Sequence, residues 1–202
     1  MTMTSEALTG GFDDPVYNSQ SVFRMMMDAM ALPGSIMTVR ADAAPPPPFG
    51  LAAAMIALTV CDHDTPVFLS DAFAASQAPA WLRFHTGAPL VSDPSEAAFA
   101  FVDATAPFPD FEHFSFGTQE YPDRSTTIVL EVGSLVGGHP LTLKGPGIRE
   151  SETIAPLGLP GGFTGIWAGN RALFPRGVDL VLAAGVQFLC LPRSLSIQAM
   201  EG

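Results

Sequence analysis

Gly50-Leu-Ala-Ala-Ala-Met-Ile-Ala-Leu-Thr-Val-Cys-Asp-His-Asp-Thr-Pro-Val-Phe-Leu-Ser70 is the stretch on which the fold turns. From Gly50 to Val60 it is Ala-rich and apolar almost all round, which is the pattern of a helix covered on most faces rather than one lying on a surface. Asp62, His63 and Asp64 then break the apolar run. Thr65 to Leu69 is short, apolar and rich in strand-forming residues, so it reads as a strand. A buried helix that feeds a buried strand is a building unit of layered α/β folds.

The same alternation continues on both sides. Upstream, Asp14 stands at a cap position with Pro15 in the first turn, and Val22, Phe23, Met26, Met27 and Met30 recur at three- and four-residue spacing. That spacing predicts an amphipathic helix, ended by Pro33-Gly34, with Arg24 and Asp28 four apart on another side. A short strand, Ile36 to Val39, and a stiff connector of four prolines, Pro45 to Pro48, lead to the central helix. Downstream, Asp71 to Phe84 reads as mostly helical and Pro89 to Ser92 as a strand. Ala98 to Asp103, Thr126 to Val132, Leu141 to Leu143, Asp179 to Ala183 and Phe188 to Leu191 are further strands, several apolar enough to be covered on both faces. A short helix is expected over Phe163 to Arg171. With no internal repeat, the expectation is α/β: a single domain over residues 12–202 with a mixed sheet flanked by helices, after a flexible N-terminus at residues 1–11.

Composition narrows the function classes. The chain has 202 residues, 48% hydrophobic and only 14% charged, enough for one well-filled core. Nine Lys plus Arg stand against 20 Asp plus Glu, a net charge of -11 that disfavours a nucleic-acid partner. The longest apolar run, Phe49 to Cys61, is too short to span a membrane, and the first basic residue is Arg24, so no secretory signal is expected. Two distant cysteines in apolar surroundings, Cys61 and Cys190, suit buried thiols in a reducing compartment, and the protein is read as cytoplasmic.

No segment is a self-sufficient catalytic motif. Cys61-Asp62-His63-Asp64 packs four metal-ligating residue types together, and His85 or His113 could complete a zinc or iron site. Adjacent side chains on an extended segment point apart, however, and no HxxxH or CxxC pair is present, so the cluster reads as a polar helix-to-strand turn with Asp side chains on backbone amides rather than a metal site. Lys144, the single lysine, lies in Leu143-Lys144-Gly145-Pro146-Gly147-Ile148, either a strand-end turn or a loop whose amides face a phosphate or an aldehyde cofactor. Arg83, His85 and Thr86 form a candidate anion or phosphonate grip, with a helix end capped by Gly87 as the structural alternative. Ser70, Ser92 and Ser134 lack the context of a nucleophile elbow. Phe108, Phe111, Phe114, Phe116 and Tyr121 crowd an irregular stretch, read as either core under a long loop or a partner-docking surface.

Five blocks, taken in order, are similar to one family. They are Ser21 to Gly34 (SVFRMMMDAMALPG), Asp64 to Ser70 (DTPVFLS), Leu82 to Ser92 (LRFHTGAPLVS), Gly137-Gly138 with Leu141 to Ile148 (LTLKGPGI), and Phe174 to Leu182 (FPRGVDLVL). Together they resemble the H subunit of bacterial carbon-phosphorus lyase, and they run over nearly the whole chain.

The resemblance implies a mixed α/β fold related to the pyridoxal-phosphate-dependent transferases but without the cofactor. It also implies a homodimer in isolation and assembly with the G, I and J subunits of the lyase. In that complex a phosphonate displaces adenine from ATP, giving a ribose 1-phosphonate 5-triphosphate; the J subunit, an iron-sulfur radical enzyme, later cleaves the carbon-phosphorus bond. The pattern assigns no catalytic residue to the H subunit, whose work is assembly and shaping of the site. The competing expectation is a stand-alone enzyme using pyridoxal phosphate at Lys144 or a metal near Asp62 to Asp64.

Overall fold

A computed structural model describes residues 9–40, 43–104 and 110–200. Helix α1 (Pro15–Ala31) starts where the cap and proline place it: the Asp14 carboxylate accepts the Tyr17 N–H at 3.0 Å. It buries Val22, Met26 and Ala29 and stops at Leu32, ahead of Pro33. Helix α2 (Leu51–Val60) is the central helix, with Ala52 through Ala57 all buried. Its four alanines in that span remove side-chain bulk, so the backbone lies close to its neighbours on several sides.

The stretch expected to be mostly helical from Asp71 to Phe84 is two helices, α3 (Asp71–Ala74) and α4 (Ala78–Thr86). Pro79 has no N–H to continue a ladder, so the chain restarts there, and the Ser76 hydroxyl fills the junction by donating to Phe73 O and accepting from Ala78 N. Helix α5 (Phe163–Ala172) matches the expected short helix closely.

The strands are β1 (Met37–Thr38), β2 (Val67–Leu69), β3 (Leu90–Val91), β4 (Phe99–Asp103), β5 (Thr127–Glu131), β6 (Leu141–Lys144), β7 (Glu152–Ile154), β8 (Asp179–Ala184), β9 (Gln187–Leu191) and β10 (Ser196–Ala199). Seven form one mixed sheet in the order β1-β9-β8-β5-β4-β2-β3. Its β3-β2-β4-β5-β8 run is parallel, and β9 and β1 join antiparallel at one edge. The remaining three build a separate antiparallel sheet, β10-β6-β7, which sequence reading did not anticipate. Strands β7 and β10 bury only Ile154 and Ile197, too few apolar positions to stand out in a polar segment.

Both faces of the large sheet are covered. Val67, Leu69, Phe101, Val129, Val181 and Cys190 pack toward α1, α2 and the α3–α4 pair. Ala100, Val102, Ile128, Leu130, Leu182 and Leu189 pack toward Trp167 of α5, the small sheet and the stretch holding Phe111 and Phe114. This three-layer arrangement explains why the central strands read as continuous apolar runs instead of alternating. Chain exits part at β2 and β4: Phe73, after β2, lies in the first layer, whereas Phe111 and Phe114, after β4, lie in the second. Adjacent parallel strands whose exits diverge leave a crevice at their carboxyl ends, which is where open α/β sheets place their sites.

Candidate functional site

At that edge the sequence supplies three polar residues which reading by motif passed over. Asp103 and Glu131 end β4 and β5, and they are register partners in a parallel pair, so both side chains leave the same face. Ala183 of β8 continues the row, and Ser70 follows β2. The buried Ser70 hydroxyl donates to Asp103 Oδ2 at 2.9 Å, and the Asp103 N–H donates back to Ser70 Oγ at 3.3 Å. One strand over, Glu131 Oε1 accepts the Gly50 N–H at 2.6 Å, so a carboxyl group takes the N-terminus of α2, where the helix dipole favours an acceptor. A side chain at Gly50 would be tight: a Cβ there would lie 3.1 Å from Glu131 Oε1 and 3.3 Å from Gly185 O. Burial, with a smaller contribution from Asp103, pushes the Glu131 carboxyl up to about 7 despite the opposing hydrogen bond from Gly50. Side chains paired by register across strands 28 residues apart in sequence leave no local motif.

The residues singled out from sequence are spread rather than gathered. Arg83 is exposed on α4. His85, two residues on, turns inward beside Trp81, with ring centroids 5.1 Å apart, and its Nε2 is buried without a partner among the described residues. Burial holds its pKa down, against a hydrogen bond with the Thr9 backbone. The Thr9 carbonyl also accepts from Trp81 Nε1 at 3.2 Å, which ties residue 9 to α4. Thr86 spends its hydroxyl on the helix end, donating to Leu82 O and accepting from Ala88 N, while Gly87 caps α4 at φ +72°.

Lys144 is the exposed last residue of β6, in the small sheet. The glycines after it serve close packing: a Cβ on Gly147, at φ +82°, would sit 2.2 Å from Ala31 O at the end of α1.

In the acidic cluster, Asp62 Oδ1 accepts from the Asp64 N–H and the Thr65 hydroxyl at 2.9 and 2.7 Å, which holds its pKa below the usual carboxylate range. His63 and Asp64 form a solvent-exposed pair, Cys61 points into the core, and His113 contacts Asp110 O on an exposed turn. No group of three metal-ligating side chains converges among the described residues. Ser134 accepts the Val136 N–H with its hydroxyl. In the aromatic stretch, Phe111 and Phe114 are core, Phe116 packs against it, and exposed Tyr121 carries the Arg124 guanidinium 4.2 Å from its ring centroid; Phe108 lies outside the described residues.

Both cysteines are buried and their thiols pushed up to about 12, chiefly by burial. The native protein should therefore give under one-tenth of the expected colour with an aromatic disulfide reagent at pH 8, rising to two thiols per chain in denaturant. Rapid native reaction of either thiol would contradict this placement.

Set against known families, residues 10–198 match the family model described as Bacterial phosphonate metabolism protein (PhnH). The chain belongs to this family. Among the curated relatives is the alpha-D-ribose 1-methylphosphonate 5-triphosphate synthase subunit PhnH of Rhizobium meliloti (strain 1021). It is 53% identical over 198 residues, covering 98% of this chain and 99% of the relative. The protein HtxG of Stutzerimonas stutzeri, provisionally named as a C-P lyase subunit, is 28% identical over 178 residues, 88% of this chain and 85% of its own length. The family thus spans the described fold from the segment before α1 to β10, with the Ser70–Asp103–Glu131 edge inside it. No helix among the described residues is long and apolar enough to cross a membrane.

Proposed function

We propose that this chain is a non-catalytic subunit of a carbon-phosphorus lyase core complex. In this reading it supports the step in which a phosphonate oxygen bonds to the anomeric carbon of the ribose of ATP while the glycosidic bond to adenine breaks and adenine leaves. The observation that carries this is the 53% identity, over 99% of its length, to a relative named as a subunit of the synthase for that product. The arrangement of side chains supports a subunit role as well. The candidate residues Arg83, His85, Thr86 and Lys144 do not assemble one reacting centre: Thr86 is spent on the helix end, His85 faces inward and Lys144 stands on the small sheet. The partners are the G, I and J subunits, with a homodimer as the isolated form, in the cytoplasm, without a cofactor of its own. Kinship with the pyridoxal-phosphate-dependent transferase fold belongs to the same proposal, supported by the parallel β3-β2-β4-β5-β8 run with helices on one face and a distinct second layer on the other.

The test is reconstitution. Methylphosphonate-dependent release of adenine from ATP should occur with the G, H, I and J subunits together, and fall at least tenfold when this chain is omitted. The chain alone should release none. Turnover by the purified chain, or an unchanged rate without it, would overturn the proposal. Trapping of pyridoxal phosphate by borohydride at Lys144, in stoichiometric yield and with loss of activity, would favour the stand-alone enzyme instead.

A further inference from the structure

The chain ahead of α1 is fastened to α4. Trp81 Nε1 donates to the Thr9 carbonyl at 3.2 Å, and the His85 ring makes a hydrogen bond with the same backbone. Since His85 Nε2 is buried without a partner among the described residues, that bond belongs to Nδ1. The next two residues are glycines in close quarters. Gly10 sits at φ +86°, where a Cβ would lie 2.2 Å from Ala44 O, and a Cβ on Gly11 would lie 2.6 Å from His85 Nδ1. Phe12 then packs against the core that holds Trp81 and Leu82. Residues 9–12 therefore form a strap laid between α4 and the start of the proline connector, and Trp81, whose indole reaches the strap, is wholly buried. Beside it Phe84, 53% exposed, meets the His85 ring edge-on with centroids 5.0 Å apart.

A neutral imidazole holds this strap. With Nδ1–H donating to the Thr9 carbonyl, Nε2 keeps a bare lone pair, and a proton added there would be an N–H buried without an acceptor. Burial accordingly holds the His85 pKa below its usual value, outweighing the Thr9 bond. Charge does not set this balance. Residues 43–48 and α2 carry none. The charged groups on the other neighbours are Arg83 on α4, Asp71 on α3, Asp13 and Asp14 after the strap, and His63 with Asp64 across Gly87. None of these is among the causes of the His85 shift. Once the strap lifts, Nε2 meets water and the ring titrates in its ordinary range. We propose that residues 9–12 are a proton-sensitive strap, closed on α4 while His85 is neutral and released when it takes a proton, baring the Trp81 and His85 rings. Closure is at full strength above about pH 6.5, the value for a free histidine, and weakens as pH falls below it by up to about tenfold per unit until the closed-state value is passed. This device is independent of the subunit role proposed above.

Hydrogen-exchange NMR of the full chain tests it, with one tryptophan as the control for the other. The Trp81 indole N–H reads the strap, because its acceptor is the Thr9 carbonyl, and the Trp167 indole N–H, donating to Leu195 O at 2.9 Å, reads the rest of the fold. Between pH 7.5 and 5.5 the protection of Trp81 relative to Trp167 should fall about fivefold to tenfold. His85→Gln keeps a donor for Thr9 O and takes no proton, so its ratio should stay level within about twofold. Gly10→Ala drives the strap off Ala44 O and should lower the ratio about tenfold or more already at pH 7.5. In the parent, the His85 ring carbon resonances should titrate below the ordinary histidine range. A parent ratio that holds from pH 7.5 to 5.5, a fall that persists in His85→Gln, or an ordinary His85 midpoint overturns the strap, and so does parental protection in Gly10→Ala. A variant that also loses Trp167 protection has a damaged fold, and the parent's ratio and His85 titration then decide.

Discussion

At pH 8, the Glu131→Gln variant is expected to be more stable than the parent by about 3 kcal/mol, and at pH 4 by close to nothing. The Glu131 carboxyl is half-buried at the end of β5, with Asp103 beside it in register, and its pKa is raised from 4.5 to about 7. Below pH 4.5 the group is protonated in both the folded and unfolded chain and costs nothing. Between 4.5 and about 7 the unfolded chain releases its proton while the folded chain retains it, so folding stability falls as pH rises. Above about 7 the full penalty is present, roughly 3 kcal/mol at 1.36 kcal/mol per pKa unit. A glutamine keeps an oxygen for the Gly50 N–H and has no proton to lose, so it removes this penalty without uncapping α2. Urea unfolding midpoints of parent and variant from pH 4 to 9 read the difference. Parallel curves across that range would show that Glu131 titrates normally in the fold.

Arg193→Met should be among the most damaging single changes, costing about 3–5 kcal/mol. Arg193 Nε donates to both Asp179 carboxylate oxygens at 3.1 and 3.2 Å, and Nη2 forms a further close contact with Oδ2. Nη1 donates to Pro122 O at 2.6 Å, which pins the turn before β5. The two side chains are only 14% and 19% exposed, so removing the guanidinium strands a carboxylate and a carbonyl together. Adding Asp179→Asn should recover roughly half the loss, because the amide oxygen can still accept the main-chain N–H of residue 193 and the orphaned charge is gone. Thermal unfolding of the parent, the single variant and the double variant measures this. A single variant within 0.5 kcal/mol of the parent, on the order of an exposed pair, would show the bridge to be a surface contact.

Local pattern carried the helix starts and the central strands because their causes are local. The Asp14 cap lies three residues from the amide it serves, and the Ala-rich α2 announces burial by having no polar side. Asp62 likewise bonds within its own turn, as the polar-turn reading of that cluster expected. The break between α3 and α4 was missed although Pro79 was visible, since a proline can also sit in the first turn of a continuing pattern. The small sheet was missed because β7 and β10 each offer one buried apolar residue, and their pairing with β6 brings together positions more than 50 residues apart in the case of β10.

The sequence by itself determined the α/β class, the single-domain organisation of its core, the buried central helix and the family, because caps, prolines, apolar periods and ordered blocks are properties of neighbouring residues. Tertiary structure alone decided that Ser70, Asp103 and Glu131 meet at one sheet edge, that Arg83, His85, Thr86 and Lys144 do not, and that α1 keeps an apolar stripe outside. Those outcomes depend on strand order, register and layer position. Each is set by which distant segments bury one another, and no spacing along the chain encodes that.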